Sequence, residues 1–400
     1  RVLKAPPTQE VVHDANRQRV PYGEIVSQCR NKPGGYYDAA FGIKMEISVK
    51  TVSQIIFSDG VPMTSAVKAT AGLAESGFGA ARSTGVLVSD RSTAVLPTLI
   101  KPRPVLVTDL KEFFKVRVTS LVVVTAWAGF YLGSMRSGIS SMHWGLFQAL
   151  LGIAFVTGGA SAMNEVIERN GDAKMIRTAQ RPMASGRFSL HQGLSLGMGS
   201  LAAGAAILAY FTNPVTVVLT LFTAFTYVAV YTPLKRYTTL ATFIGAFPGA
   251  MPPLLGWTAA RGIIEWPALA LFAILFVWQF PHFMAIAWLY REDYARAGIR
   301  MLPVVQPDGR STVLEALFFA ILMIPVSFIP FYLHLTGKIY FTSAVILGLG
   351  YLVYTIRFSR ITRARTTPES RGYARDLLRA SVIYLPLLLI VMMLDATGGR

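Results

Sequence analysis

Cysteine is almost missing from this sequence. Cys29 is the only one, so no internal disulfide framework can hold the fold. Charge is scarce as well: Asp, Glu, Lys and Arg make up 15% of the 400 residues, against about 25% in a typical soluble domain. Too few charges remain to cover a water-facing surface. What is plentiful is apolar, with 53% hydrophobic residues and a mean hydropathy of +0.47. That abundance excludes bulk disorder and turns most of the surface towards lipid. Acids are the scarcer sign, 21 against 38 Lys and Arg, for a formal net charge of +17. Taken alone, such an excess suits nucleic acid. Its placement along the chain decides otherwise.

The first hundred residues differ from the rest. They hold 11 Lys and Arg and 8 Asp and Glu, and no run there approaches the roughly 18 apolar residues that suggest a membrane span. Eight acids also argue against a mitochondrial transit peptide, which is acid-poor. The segment opens on Arg1 rather than Met; a fragment end, a processed end and sequence upstream of a start are all open readings. Residues 1–104 read as a weakly structured N-terminal extension without assigned chemistry, a small accessory domain being the alternative.

From Val116 on, long apolar segments recur, at 116–133, 144–163, 190–211, 214–231, 242–259, 267–289, 313–333, 340–356 and 377–394. Each approaches the roughly 20 residues a helix needs to cross the hydrocarbon core. A membrane barrel would alternate polar and apolar residues in segments of about 10, and these runs are apolar on all sides. The expected fold is all-α, a polytopic membrane protein of about nine transmembrane helices over residues 105–395.

Cations collect in alternate loops. Twenty-three Lys and Arg fall on one side of such a bundle, and only Arg136, Arg261, Lys338 and Arg400 on the other. Loops rich in Lys and Arg are the cytoplasmic ones. The segment before the first span is therefore expected inside and the C-terminus outside. Topology accounts for the net charge, and a nucleic-acid partner is not needed.

Chemistry gathers at the cytoplasmic ends. Asn164, Glu168 and Asp172 follow an i, i+4, i+8 spacing that stacks three oxygen side chains on one helix face. Hard oxygens suit Mg²⁺, which takes a few carboxylates and then substrate phosphates. The plainer alternative is a solvated helix end, with Gly171 closing the helix and leaving Asp172 on a loop. Arg177 and Arg181 follow one turn apart, and an arginine fork matches phosphate oxygens; positive-inside charge is their plainer reading. A second cytoplasmic end offers Lys235 and Arg236. A third offers Asp293 as a further metal ligand, or simply as a partner for Arg291 or Arg296.

His282 stands apart, nine residues before Arg291 and so roughly 13 Å into the membrane. Ionisable groups at that depth face a bundle interior or a cavity. An imidazole there can ligate iron, hold a substrate or relay protons, or be satisfied by a neighbouring helix. Pro281 beside it, and Pro248, Pro252 and Pro253 in the preceding segment, are expected to kink their helices.

Several stretches together resemble the UbiA-type family of intramembrane prenyltransferases, over about residues 105–395. They are Asn164-x₃-Glu168-x₃-Asp172, Arg177-Thr178-x₂-Arg181-Pro182, Ser185-Gly186-Arg187 and Tyr231-Thr232-x-Leu234-Lys235-Arg236. Trp278-Gln279-Phe280-Pro281-His282-Phe283 and Asp293-Tyr294-x₂-Ala297-Gly298-Ile299-x-Met301-Leu302-Pro303 are similar to its haem-modifying branch. Two departures stand out. The first motif reads Asn-Glu where many members have Asn-Asp, and the family's second Asp-x₃-Asp motif is reduced to Asp293 beside Glu292.

The resemblance implies a Mg²⁺-dependent farnesyl transfer from farnesyl diphosphate to a vinyl group of haem B, giving haem O. In that scheme Asn164, Glu168, Asp172 and Asp293 hold the metal, and Arg177, Arg181, Lys235 and Arg236 neutralise the diphosphate. His282 positions the porphyrin. The setting is the bilayer of the cell membrane, or the mitochondrial inner membrane in a eukaryote, with the site facing the cytoplasm and a haem A synthase as a downstream partner. Two rivals are a prenyltransferase for an aromatic or quinone precursor and a secondary transporter. Transporters place their site near the midplane between repeated halves, whereas these polar groups gather at one face.

Overall fold

The computed structural model describes residues 11–13, 19–21, 106–137, 144–364 and 367–397. The chain divides into two units, Arg1–Thr98 and Leu99–Arg400. In the first, Val11–His13 (β1) pairs antiparallel with Arg19–Pro21 (β2), Val12 standing opposite Val20. The remainder of the expected N-terminal extension, residues 1–104, lies outside the described residues, as does Arg400.

The second unit is built from helices. A short α1 (Leu106–Phe113) leads into α2 (Val116–Ser137), α3 (Trp144–Asp172), α4 (Leu190–Phe211), α5 (Pro214–Leu234), α6 (Ala241–Arg261) and α7 (Trp266–Leu289). Two short helices follow, α8 (Arg291–Arg296) and α9 (Leu302–Val305), and then α10 (Arg310–Tyr332), α11 (Lys338–Phe358) and α12 (Pro368–Leu394). Nine long helices thus occupy the nine expected segments among the described residues. Eight of them are long and apolar enough to cross a membrane. The exception is α6, 21 residues long. Its three prolines, three glycines and polar threonines dilute its hydropathy, and it is largely buried among its neighbours.

Start and stop residues are where local chemistry puts them. Ser189 and Gln192 form a reciprocal capping box at the head of α4, satisfying two backbone donors at once. Asn213 caps α5, with Pro214 in its first turn. Gly262, at φ +76°, ends α6 in a left-handed conformation that suits glycine. Two helices overrun their apolar segments. α3 continues past Met163 to Asp172, and α12 already begins at Pro368. Hydropathy marks the lipid boundary, but a helix carries its own backbone hydrogen bonds across it and need not stop there. α6 and α7 run continuously through their internal prolines.

Helices meet through small residues, as expected where lipid removes a hydrophobic drive between them. A Cβ on Gly129 of α2 would collide with the Pro253 backbone of α6, and one on Gly256 with that of Ala126; the two backbones touch. Gly204 of α4 packs closely, though less so, against Val156 and Gly152 of α3. Trp257, Ile274, Trp288, Tyr340 and Leu388 fill a large core between α6, α7, α10, α11 and α12. At the bundle end remote from Asp172, Arg261 bonds both oxygens of Glu265 at 2.8 and 3.1 Å, and Trp257 donates to the same carboxylate at 2.9 Å. The Arg261 hydrogen bonds hold the Glu265 carboxyl below its ordinary range against the effect of burial.

Candidate active site

Helix α3 does not break at Gly171. It runs through to Asp172, which keeps Asn164, Glu168 and Asp172 on one face. All three are at most 5% exposed, so this helix end is not a solvated one. Each meets a cation or donor from another part of the chain. Lys115, between α1 and α2, donates to Asn164 Oδ1 at 2.7 Å. The Asn164 amide donates to Thr232 Oγ1 at 3.0 Å. Lys235 pairs with Glu168, and Arg181 with Asp172 Oδ2 at 2.9 Å.

Three further segments close the site. Residues 173–187 form a series of turns rather than the helix that a one-turn arginine spacing suggests. They bring Arg177 and Arg181 back over α3. Arg177 lies 4.3 Å from the Tyr290 ring centre and donates to the Tyr294 hydroxyl at 3.4 Å. The end of α5 is a π-helical segment, Thr226–Tyr231. Pro233 lacks a donor and its ring would strike the carbonyl four residues back; the wider π turn accommodates it. Tyr227 and Tyr231 stack there, 5.7 Å apart. After α8 the chain reverses at Gly298, φ +70°, and the Arg300 N–H bonds the Lys235 carbonyl at 3.0 Å.

These elements enclose a cavity of about 150 Å³, walled by Lys115, Asn164, Glu168, Asp172, Arg177, Arg181, Tyr227, Tyr231 and Lys235, with Met175, Tyr294, Ile299 and Met301. Sites for drug-sized ligands run to about 300–1,000 Å³, so this one has room for a head group rather than a whole ligand of that size. Four cations face two lining carboxylates, a surplus that suits a polyanion. Burial pushes the Lys115 ammonium down to about 8, Arg181 adding to the shift and Glu168, Glu165 and Asp172 opposing it. For Arg181, burial works against the charge and Asp172 outweighs it, holding the guanidinium above its ordinary value.

The donor set fits a hard divalent cation. Asp172 Oδ1, on a residue lining the cavity, is buried with no hydrogen-bond partner. Among the described residues no three acidic or imidazole side chains converge to hold a metal unaided. Mg²⁺ commonly binds through one or two carboxylates and completes its shell with waters and substrate phosphates.

Not every expected residue joins this cavity. Asp293 is buried but does not line it; its carboxylate pairs with Arg296 and accepts from the Ile176 N–H at 3.3 Å. Arg236 is exposed beside Gly171. His282 is half-buried in α7, its Nδ1 2.8 Å from Ser381 Oγ on α12, its ring stacked on Trp278. Conversely, Lys115, Tyr227, Thr232 and Glu165 were not singled out as site residues by sequence. Glu165 is fully buried and accepts from the Met183 N–H at 3.1 Å. It stands off the i, i+4 face, and no spacing rule points to it.

The pattern of the UbiA prenyltransferase family matches residues 121–375. The chain belongs to this family. The protoheme IX farnesyltransferase of Koribacter versatilis (strain Ellin345) is 52% identical over 308 residues, 76% of this chain and 99% of its own length. That of Solibacter usitatus (strain Ellin6076) is 40% identical over 298 residues, 72% of this chain and 99% of its own. Among solved structures, a digeranylgeranylglyceryl phosphate synthase superimposes with a TM-score of 0.59 at 16% identity, over 72% of this chain and 98% of that one. A UbiA homologue from Aeropyrum pernix K1 gives 0.50 at 16% identity, over 66% and 97%. These two likenesses carry the fold. As a UbiA-family member the protein is a multi-pass membrane prenyltransferase, with the polar ends of α3 and α5 facing each other across one small cavity.

Proposed function

We propose that the protein transfers a farnesyl group from farnesyl diphosphate to a vinyl group of haem B, producing haem O at the cytoplasmic face of the membrane. The observation that carries this reading is the convergence on one cavity of buried Asn164, Glu168 and Asp172 with half-buried Lys115, Arg181 and Lys235 and the exposed Arg177. The names of the most similar curated relatives support the haem acceptor.

In this reading the diphosphate occupies the 150 Å³ cavity and the isoprenoid chain leaves it towards the bilayer. Arg177, Arg181, Lys235 and Lys115 take up the phosphate oxygens, with Arg236 at the rim. Asn164, Glu168 and Asp172 would hold Mg²⁺, Asp293 being the outlying member of that set. When bound, the metal supplies charge neutralisation to the leaving diphosphate.

Cleavage of the allylic C–O bond sends its electron pair to the diphosphate. Fixed cations aimed at that developing charge need no reorganisation during the step. A haem vinyl carbon then attacks the farnesyl cation. Water adds to the resulting benzylic-type cation and loses a proton, giving a hydroxyethylfarnesyl side chain. His282, away from the diphosphate cavity, holds the porphyrin.

The deciding experiment is mass spectrometry of haems after incubation with haem B, farnesyl diphosphate and Mg²⁺. A farnesylated, hydrated haem is expected. Unchanged haem beside prenylation of an aromatic acceptor would reassign the substrate within the family.

A further inference from the structure

Ser381 is fully buried on α12, where three hydrogen bonds meet. Its hydroxyl lies 2.6 Å from the Leu378 carbonyl and 2.8 Å from Nδ1 of His282. Its own carbonyl accepts from the Trp278 indole N–H at 2.9 Å. Trp278 in turn stacks on the His282 ring, with centres 4.9 Å apart and planes at 26°. One residue of α12 thus holds two aromatic side chains of α7.

A serine hydroxyl carries one proton. The Leu378 carbonyl can only accept, and two oxygens 2.6 Å apart require a proton between them. That proton is committed to Leu378. Only an oxygen lone pair of Ser381 is left for His282, so Nδ1 must donate. A neutral imidazole then carries its free lone pair on Nε2, on the ring edge turned away from Ser381.

We propose that Ser381 is a positioning residue. It locks His282 as the Nδ1–H tautomer and, with Trp278, fixes the ring plane, so that Nε2 is presented to the haem iron of the substrate. The proposal rests on the reading that haem B is held by His282, and it adds which nitrogen does so and what sets it. Partners that fix the tautomer of a metal-binding histidine affect affinity strongly, commonly 10- to 100-fold.

The test uses the full chain in lipid nanodiscs, with haem B titrated by absorbance and ¹⁵N NMR of labelled histidines. The sequence has five histidines, and the spectrum of His282→Ala identifies the signal of interest. In the wild type that signal shows a protonated Nδ1 and an unprotonated Nε2. Ser381→Ala is expected to mix the tautomers and weaken haem B binding about 10-fold or more. Ser381→Thr, which keeps the hydroxyl, restores both. Binding of a non-hydrolysable farnesyl diphosphate analogue stays unchanged in the Ser381 variants. If Ser381→Ala keeps the Nδ1–H signature and full haem affinity while His282→Ala loses haem, Ser381 positions nothing. If His282→Ala binds haem B as the wild type does, the reading beneath the proposal fails instead.

Discussion

Asp172 is 1% exposed, and one of its oxygens has no hydrogen-bond partner. A buried charge left partly unpaired is costly, and in the proposed reaction a cationic ligand beside the substrate phosphates would relieve that cost. Asp172→Asn keeps the size and removes the charge. Turnover is expected to fall by about 10²–10³-fold, the scale for losing one preorganised electrostatic group, with the thermal midpoint nearly unchanged. Unaltered turnover would mean that Asp172 serves only Arg181. Lys115 makes the converse case. Lys115→Met removes a half-buried cation that reaches Asn164, and KM for the diphosphate substrate is expected to rise about 10- to 100-fold, the worth of one charge-assisted hydrogen bond. Steady-state kinetics at fixed Mg²⁺ checks it. The two residues also show what a sequence can disclose. Asn164, Glu168 and Asp172 were legible because helical spacing alone aligns them. Lys115 was not: it is one of many cations that the positive-inside pattern already explains, and its partner lies 49 residues away.

Among the elements, the end of α5 converts a local defect into site geometry. Pro233 interrupts the regular hydrogen-bond ladder, and the preceding turn widens to π over Thr226–Tyr231. Widening by one residue rotates what precedes it by about 100° relative to an α-helix. Tyr227 and Tyr231, both within the π segment, stand on the cavity wall, while the Thr232 hydroxyl accepts from Asn164 and donates to the Tyr227 carbonyl at 2.8 Å. Pro233→Ala returns the missing donor and removes the ring clash. The segment is then expected to relax towards regular α-helix, with stability unchanged or raised and turnover down about 10-fold or more, since small misplacements at a reacting centre are costly. Paired measurements of thermal midpoint and kcat decide it; a fully active, more stable variant would show that the π turn is incidental. Helix number and type were readable from apolar runs, because lipid demands about 20 residues per crossing. The extension of α12 down to Pro368 was not; that of α3 to Asp172 was legible from the i, i+4, i+8 spacing of its oxygen side chains rather than from hydropathy. Both extensions lie beyond their apolar runs, where hydropathy stops reporting on helix length, and the candidate site sits on that of α3.

Across the whole molecule, charge and chemistry share an end. Asp172 closes α3, Lys235 follows α5, and Asp293 follows α7; each lies at the end of the bundle that collects most of the cations. Alternate helices run in opposite directions, so the next ones must conform. α10 runs from Arg310 to Tyr332, 23 residues, which at 1.5 Å per residue is about 34 Å and enough for one crossing. Arg310 and Lys338 should therefore lie on opposite sides. Both are exposed, neither touches the candidate site, and Cys29 is the only native thiol to remove. In a Cys29→Ala background, Arg310→Cys is expected to react with a membrane-impermeant maleimide only in inverted vesicles. Lys338→Cys is expected to react only in intact cells. The reverse pattern would turn the site to the outside and separate it from cytoplasmic diphosphate. Labelling of both from one side would mean that α10 does not cross, and the charge asymmetry would then need a cause other than topology.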